Sequence, residues 1–177
     1  IGEFFSNCDE VWTVSHGAGE NLRSLGYQGE YIVMPNGVDF PAGRLPEERV
    51  RAVGEGIDLP DGVPLLLFVG RMMWYKGLRI ILDALKQLKD EGRDFRMVFV
   101  GQGTDGDAIR AYAEELALCD KVFFLAPCYD REIIRAWYCR ADLFLFPSTF
   151  DTNGLVVREA AACGLASVLI AGSCAAG

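Results

Sequence analysis

Four short, nearly unbroken apolar runs, at residues 65–69, 95–100, 122–125 and 143–146, limit what this chain can become. A strand with one face in water alternates apolar and polar residues, whereas a strand that is apolar throughout must be covered on both faces. Each of the first three runs leads, through a turn, into apolar residues at helical spacing. These are Leu78, Ile81, Leu82, Leu85 and Leu88, then Ile109, Tyr112, Ala113 and Leu116, then Ile133, Ile134 and Trp137. The alternation predicts parallel strands with helices on both sides, so the expected class is α/β, a Rossmann-like doubly wound parallel sheet. Ligands of such sheets sit outside the carboxyl ends of the strands. Arg71, Gly101, Pro127 and Asp151 follow those ends and are expected to share one crevice.

Upstream, residues 11–14 and 31–34 read as two further strands, joined by a helix that Ser15 caps and Gly26 ends. Residues 40–64 are rich in proline, glycine and charge, with room for one short helix near 46–53. The expected organisation is residues 1–40 as the end of one domain and its crossover, 41–63 as a linker, and 64–177 as the doubly wound domain.

Half the residues are hydrophobic, enough for a substantial core, yet no apolar run approaches the roughly 20 residues of a membrane span. The first residues lack the basic region of a signal peptide. A net charge of −8 argues against nucleic acid as a partner. The six cysteines form no Cys-x-x-Cys pair and read as reduced thiols of a cytoplasmic protein, with no metal expected.

The densest chemistry lies at residues 146–164. A strand ends at Pro147, a polar loop holds Asp151, Thr152 and Asn153, and a helix expected over 153–163 stops at Gly164. The amino end of a helix carries unpaired amides and roughly half a positive charge, which suits a phosphate. Asp151 and Glu159 flank it, and carboxylates beside a phosphate site are suited to accept hydrogen bonds from sugar hydroxyls. The ordinary reading of Asp151 is helix capping. Glu159 followed by Ala160, Ala161 and Ala162 suggests close packing on that side.

Arg71 and Lys76 bracket the loop after residues 65–69, and a guanidinium fork with an ammonium can hold a diphosphate. Two cations at a helix start are otherwise ill placed. Residues 101–106, Gly-Gln-Gly-Thr-Asp-Gly, match the dinucleotide fingerprint, but no acid ends the next strand to receive an adenosine ribose. The glycines are therefore expected to let backbone approach another ligand. Asp105 and Asp107 form an Asp-x-Asp, read as first-turn partners of the helix dipole. His16, the single histidine, sits at a helix start, which disfavours a histidine-based hydrolase. Trp74, Tyr75, Trp137 and Tyr138 read as packing, with Trp74 and Tyr75 placed to edge the crevice.

Taken in order, these motifs resemble a known family. Pro35-Asn36-Gly37-Val38-Asp39, Val69-Gly70-Arg71 with Lys76-Gly77, Val100-Gly101-Gln102-Gly103, residues 141–148 and residues 154–160 are similar to the signatures of retaining family 4 (group 1) glycosyltransferases of the GT-B fold. The resemblance implies the donor-binding half of a transferase, cut short at its carboxyl end. It would move a sugar from a nucleoside-diphosphate sugar, UDP favoured and GDP allowed, to a glycan or lipid-linked hydroxyl. No cofactor and no metal are implied. The location implied is the cytoplasm, or the inner face of a membrane through the absent domain. Catalytic roles would fall to Arg71, Lys76, Asp151 and Glu159. Gly70, Gly101 and Gly103 would line the donor, the backbone of Ala126, Pro127 and Cys128 would take the base, and the amides of Asn153, Gly154 and Leu155 the phosphate. Glu159 would take the ribose hydroxyls. Asp151 stands where the family has Glu, one methylene longer, and would contact the transferred sugar. Alternatives from other classes are a non-catalytic nucleotide-binding module and a nucleotide-sugar epimerase.

Overall fold

The structure is a computed structural model that describes residues 2–5, 7–151 and 153–176. Its centre is five parallel strands: β3 (Leu65–Val69), β4 (Arg96–Val100), β5 (Val122–Leu125), β6 (Leu143–Phe146) and β7 (Ser167–Leu169), in spatial order β5-β4-β3-β6-β7. The chain winds outward from β3 through β4 to β5. It then returns to the other side of β3 for β6 and β7. Right-handed crossovers in opposite directions place helices on both faces: α4 (Leu78–Asp90) packs with α5 (Gly106–Glu115), and α6 (Arg131–Arg140) with α7 (Leu155–Ala162). The winding reverses between β3 and β6, so a crevice opens outside their carboxyl ends.

The apolar runs become strands because both their faces are occupied. Leu67, Phe68, Met97, Val98, Phe99 and Phe144 have no exposed surface. Phe68, Phe99 and Phe124 stand in register on adjacent strands, with ring centroids 5.8 and 5.0 Å apart, and Phe146 stacks on Phe68 at 6.2 Å. Such aromatic pairs are worth about 0.5–1.5 kcal/mol each beyond their buried area. The aromatic row fixes the strand ends on which the crevice is built. At the opposite edge, the Leu65 amide donates to Asp142 Oδ2 at 2.8 Å and anchors β3 to β6.

Before the sheet lie α1 (Gly2–Phe5), β1 (Trp12–Thr13), α2 (His16–Ser24), β2 (Ile32–Val33) and α3 (Glu47–Ala52). β1 and β2 pair in parallel as a separate two-stranded sheet, and Ser15 caps α2 by accepting from the Ala18 amide. The stretch 41–63 is not slack. Phe40 and Val50 are buried in the main core, and Arg135 of α6 donates to the carbonyls of Pro41 and Gly43 at 3.2 Å each. Arg44 in turn donates to the Cys139 carbonyl, and Arg140 to that of Val53. The charge that marks this stretch as a linker in the sequence ties it to α6.

Candidate donor site at the carboxyl edge of the sheet

The loop after β3 runs through Gly70 and Arg71 into a 3₁₀ turn, Trp74–Lys76, before α4. Gly77 ends that turn in the left-handed region, at φ 79°, and a Cβ there would collide with the Pro147 carbonyl. This contact lets the β3 loop lie against the end of β6 and carries Lys76 inward. Lys76 is 9% exposed, its ammonium 5.6 Å from the Phe146 ring and 5.3 Å from the Tyr75 ring. Arg71 stays exposed and donates to the Tyr75 hydroxyl at 2.8 Å.

Opposite stands Asp151. Its Oδ2 lies 2.5 Å from Lys76 Nζ, and its Oδ1 accepts from the Gly154 amide at 3.2 Å and the Asn153 amide at 3.5 Å. Burial alone would push the carboxyl up. The Lys76 ammonium and the two amides outweigh it, and the group lies below the usual carboxylate range. This corrects one expectation. The amides of Asn153 and Gly154 do not face outward for a phosphate but are turned onto Asp151, because a short aspartate side chain reaches its own backbone two and three residues on. Gly154, at φ 58°, starts α7 later than expected, at Leu155. Asn153 is 5% exposed, and both polar atoms of its side chain lack a partner among the described residues. Thr152 lies outside the described residues.

Three adjoining clefts share Arg71. The first, about 690 Å³, lies among Arg71, Tyr75, Lys76, Phe150 and Asp151. The second, about 210 Å³, continues over Gly70, Asn153, Gly154 and Leu155. The third, about 490 Å³, spreads over Gly101, Gly103, Pro127, Cys128 and Tyr129. The row fits an elongated ligand with a charged centre. Ala126 is exposed beside the third cleft and does not line it. Gly101 and Gly103 line this cleft and also serve the packing beneath it: a Cβ on Gly101 would strike the Gly70 carbonyl and one on Gly103 the Met72 carbonyl, so they admit the neighbouring loop's backbone. The Gly70 amide donates to the Val100 carbonyl and the Met72 amide to that of Gln102, both at 3.0 Å. Asp105 does not cap its own helix either; its Oδ2 accepts from the Trp74 amide at 2.9 Å. Trp74 stacks edge-on against Tyr112, so of the two aromatics only Tyr75 edges the first cleft.

Glu159 lies one turn along α7 from the lining residues, its side chain 12% exposed. Oε1 is 2.9 Å from Arg131 Nη1, and Oε2 accepts from the Tyr138 hydroxyl at 3.0 Å. Of the three alanines that follow, Ala160 is fully buried and Ala161 is exposed, so the close packing belongs to one face. In the sequence Tyr138 reads as packing, and no motif marks Arg131 or Phe150. The seven-residue spacing of Arg131 and Tyr138, which puts both on one face of α6, is the signal the sequence carries for this pair.

A family model described as Glycosyl transferases group 1 matches residues 54–176. The chain belongs to this family. Among its group 1 relatives it is 36% identical, over 75% of its length, to a D-inositol 3-phosphate glycosyltransferase of Xylanimonas cellulosilytica, of which it covers 33%. It is 30% identical, over 93% of its length, to a GDP-mannose-dependent α-(1-6)-phosphatidylinositol dimannoside mannosyltransferase of Mycobacterium tuberculosis, covering 41% of that protein. The chain thus spans between a third and two fifths of these two relatives. A sucrose-phosphate synthase from Thermosynechococcus elongatus superposes with a TM-score of 0.79 at 26% identity, over 96% of this chain and 42% of that one. Anabaena HepE in complex with UDP-glucose shares the fold, with a TM-score of 0.80 at 20% identity, over 95% of this chain and 46% of that one. The α/β class and the group 1 resemblance read from the sequence both stand.

Proposed function

We propose that this chain is the donor-binding part of a retaining glycosyltransferase that takes its sugar from a nucleoside-diphosphate sugar and passes it to an acceptor hydroxyl. The observation that carries the reading is the meeting of buried Lys76, exposed Arg71 and the amino end of α7 at the point where the sheet reverses, beside a carboxylate that can receive hydroxyls. In this reading residues 1–40 close the acceptor-side domain, 41–63 join the two, and 64–177 hold the donor. The base lies on Pro127 and Cys128, the ribose at Glu159, the diphosphate at Arg71 and Lys76, and the sugar toward Asp151. UDP is favoured and GDP fits the same frame; the HepE structure holds UDP-glucose and the mycobacterial relative is named for GDP-mannose.

The bond from the anomeric carbon to the diphosphate breaks, and Arg71 and Lys76, with the positive end of the α7 dipole, stabilise the departing charge. These groups supply the positive charge of the site, so the reading calls for no metal. The acceptor oxygen bonds to the same face of the sugar, its proton leaves with the diphosphate oxygen, and the configuration is kept. The acceptor is a glycan or lipid-linked hydroxyl presented by the other domain. No helix among the described residues is long and apolar enough to cross a membrane. The free thiols of Cys8 and Cys119 on the surface support a cytoplasmic site of action, with any membrane contact made by the other domain.

Calorimetric titration of the intact enzyme with UDP, GDP, ADP and NAD tests this. One nucleoside diphosphate should bind in preference, and Lys76→Ala or Glu159→Ala should cut turnover about 100-fold or more, as loss of one oriented charge contact does. Near-normal turnover in either variant rejects the role given to that residue, and binding of NAD in place of the diphosphates overturns the reading.

A further inference from the structure

Glu159 is gripped from two sides by one helix. Arg131 and Tyr138, two turns apart on α6, each take one oxygen of its carboxylate, at 2.9 and 3.0 Å. Tyr138 is fully buried, its ring edge-on to Phe144 at 5.6 Å and to Phe40 at 6.1 Å. Packed in this way it has little freedom to turn, and Glu159 is the hydroxyl's bonding partner. Burial, together with the Glu159 charge, drives the phenol far above its usual range, so it remains a donor at any working pH. Arg131 is held from the other end, its guanidinium 4.2 Å over the Phe40 ring.

An ionised carboxylate offers about four lone-pair sites, two on each oxygen. Tyr138 and Arg131 take one on each. What remains is one acceptor site per oxygen, with the rotation of the group fixed. That arrangement matches two neighbouring hydroxyls, each donating one hydrogen. A carboxylate held at one oxygen could swing, and would offer the pair only part of the time.

We propose that Tyr138 and Arg131 are positioning residues that set the Glu159 carboxylate to receive a vicinal diol, the ribose of the donor nucleotide. The inference rests on the donor-site reading above. It assigns to the buried face of α6 a part in choosing ribonucleotide over deoxyribonucleotide.

The test is calorimetric titration of the intact enzyme with UDP and 2′-deoxy-UDP, and in parallel with GDP and 2′-deoxy-GDP, for wild type, Tyr138→Phe, Arg131→Gln and Glu159→Ala. Tyr138→Phe keeps the ring and removes one hydroxyl. It should lower affinity for the ribonucleotide about tenfold, the size of one oriented hydrogen bond, and leave affinity for the 2′-deoxy form as it was. Arg131→Gln, at a side chain 51% exposed, should act in the same direction and decides the matter if the core variant folds poorly. Equal losses for both nucleotides would mean that the two residues only brace the helices, and would overturn the proposal. So would no loss for either. If Glu159→Ala abolishes the preference for the ribonucleotide while both α6 variants keep it, positioning fails and the donor site stands. If the wild type shows no such preference, or binds none of these nucleotides, the donor-site reading fails and takes the inference with it.

Discussion

Lysine ammonium groups rarely leave water unpaired, and Lys76 has done so only in company with Asp151. With side chains 11% and 17% exposed, this pair is shielded from salt in a way that the rim pairs, such as Arg51 with Glu47, are not. Its acid dependence follows from the lowered carboxyl. The stabilisation is fully present above the unfolded-state value, about 3.9, and is lost as pH falls through the lower value of the folded state. The stability difference between wild type and Asp151→Asn should therefore be constant from neutral pH down to about 4 and shrink below it. Urea unfolding across that range measures it; a difference that begins to shrink near pH 6 would mean that the carboxyl is not held low.

At the scale of elements, the apolar runs foretold their own boundaries. β3, β5 and β6 begin and end where unbroken apolar residues do, since a strand covered on both faces leaves no freedom at its edges. The start of α7 was less legible: Asp151, Thr152 and Asn153 are capping types, but the left-handed Gly154 holds the helix back to Leu155. Most of the residues around the crevice could be named from loop positions after strands. Their partners could not, because Lys76 meets Asp151 across 75 residues and Tyr138 meets Glu159 across 21, separations with no periodic trace. The clamp between the β3 and β6 loops is open to trial. Gly77→Ala must hold an unfavourable backbone angle, at about 1–2 kcal/mol, and must also push Pro147 away. The melting temperature should fall, and nucleotide affinity with it, since Lys76 is the residue before it; an unchanged affinity would show that the clamp does not set the site.

For the molecule as a whole, the stretch 41–63 matters because α6 serves two neighbours. One face carries Tyr138 and Arg131 to Glu159, while Arg135 holds the carbonyls of Pro41 and Gly43. Arg135→Met should loosen the stretch enough for trypsin to cut at Arg44, Arg49 and Arg51, which are already exposed, read as faster cleavage between residues 41 and 63; wild-type rates would mean that the buried Phe40 and Val50 hold it with the Arg44 and Arg140 bonds alone. The Lys76–Asp151 pair has a consequence on this scale too. The site is never empty of negative charge. Under the proposed function, an arriving diphosphate would exchange places with an anion the protein already owns, so the affinity measured would be the difference between two guests. The same exchange would run backwards: as spent nucleotide left, the carboxylate would reclaim its donors and ease the departure. An enzyme arranged in this way would give up tenacity for turnover.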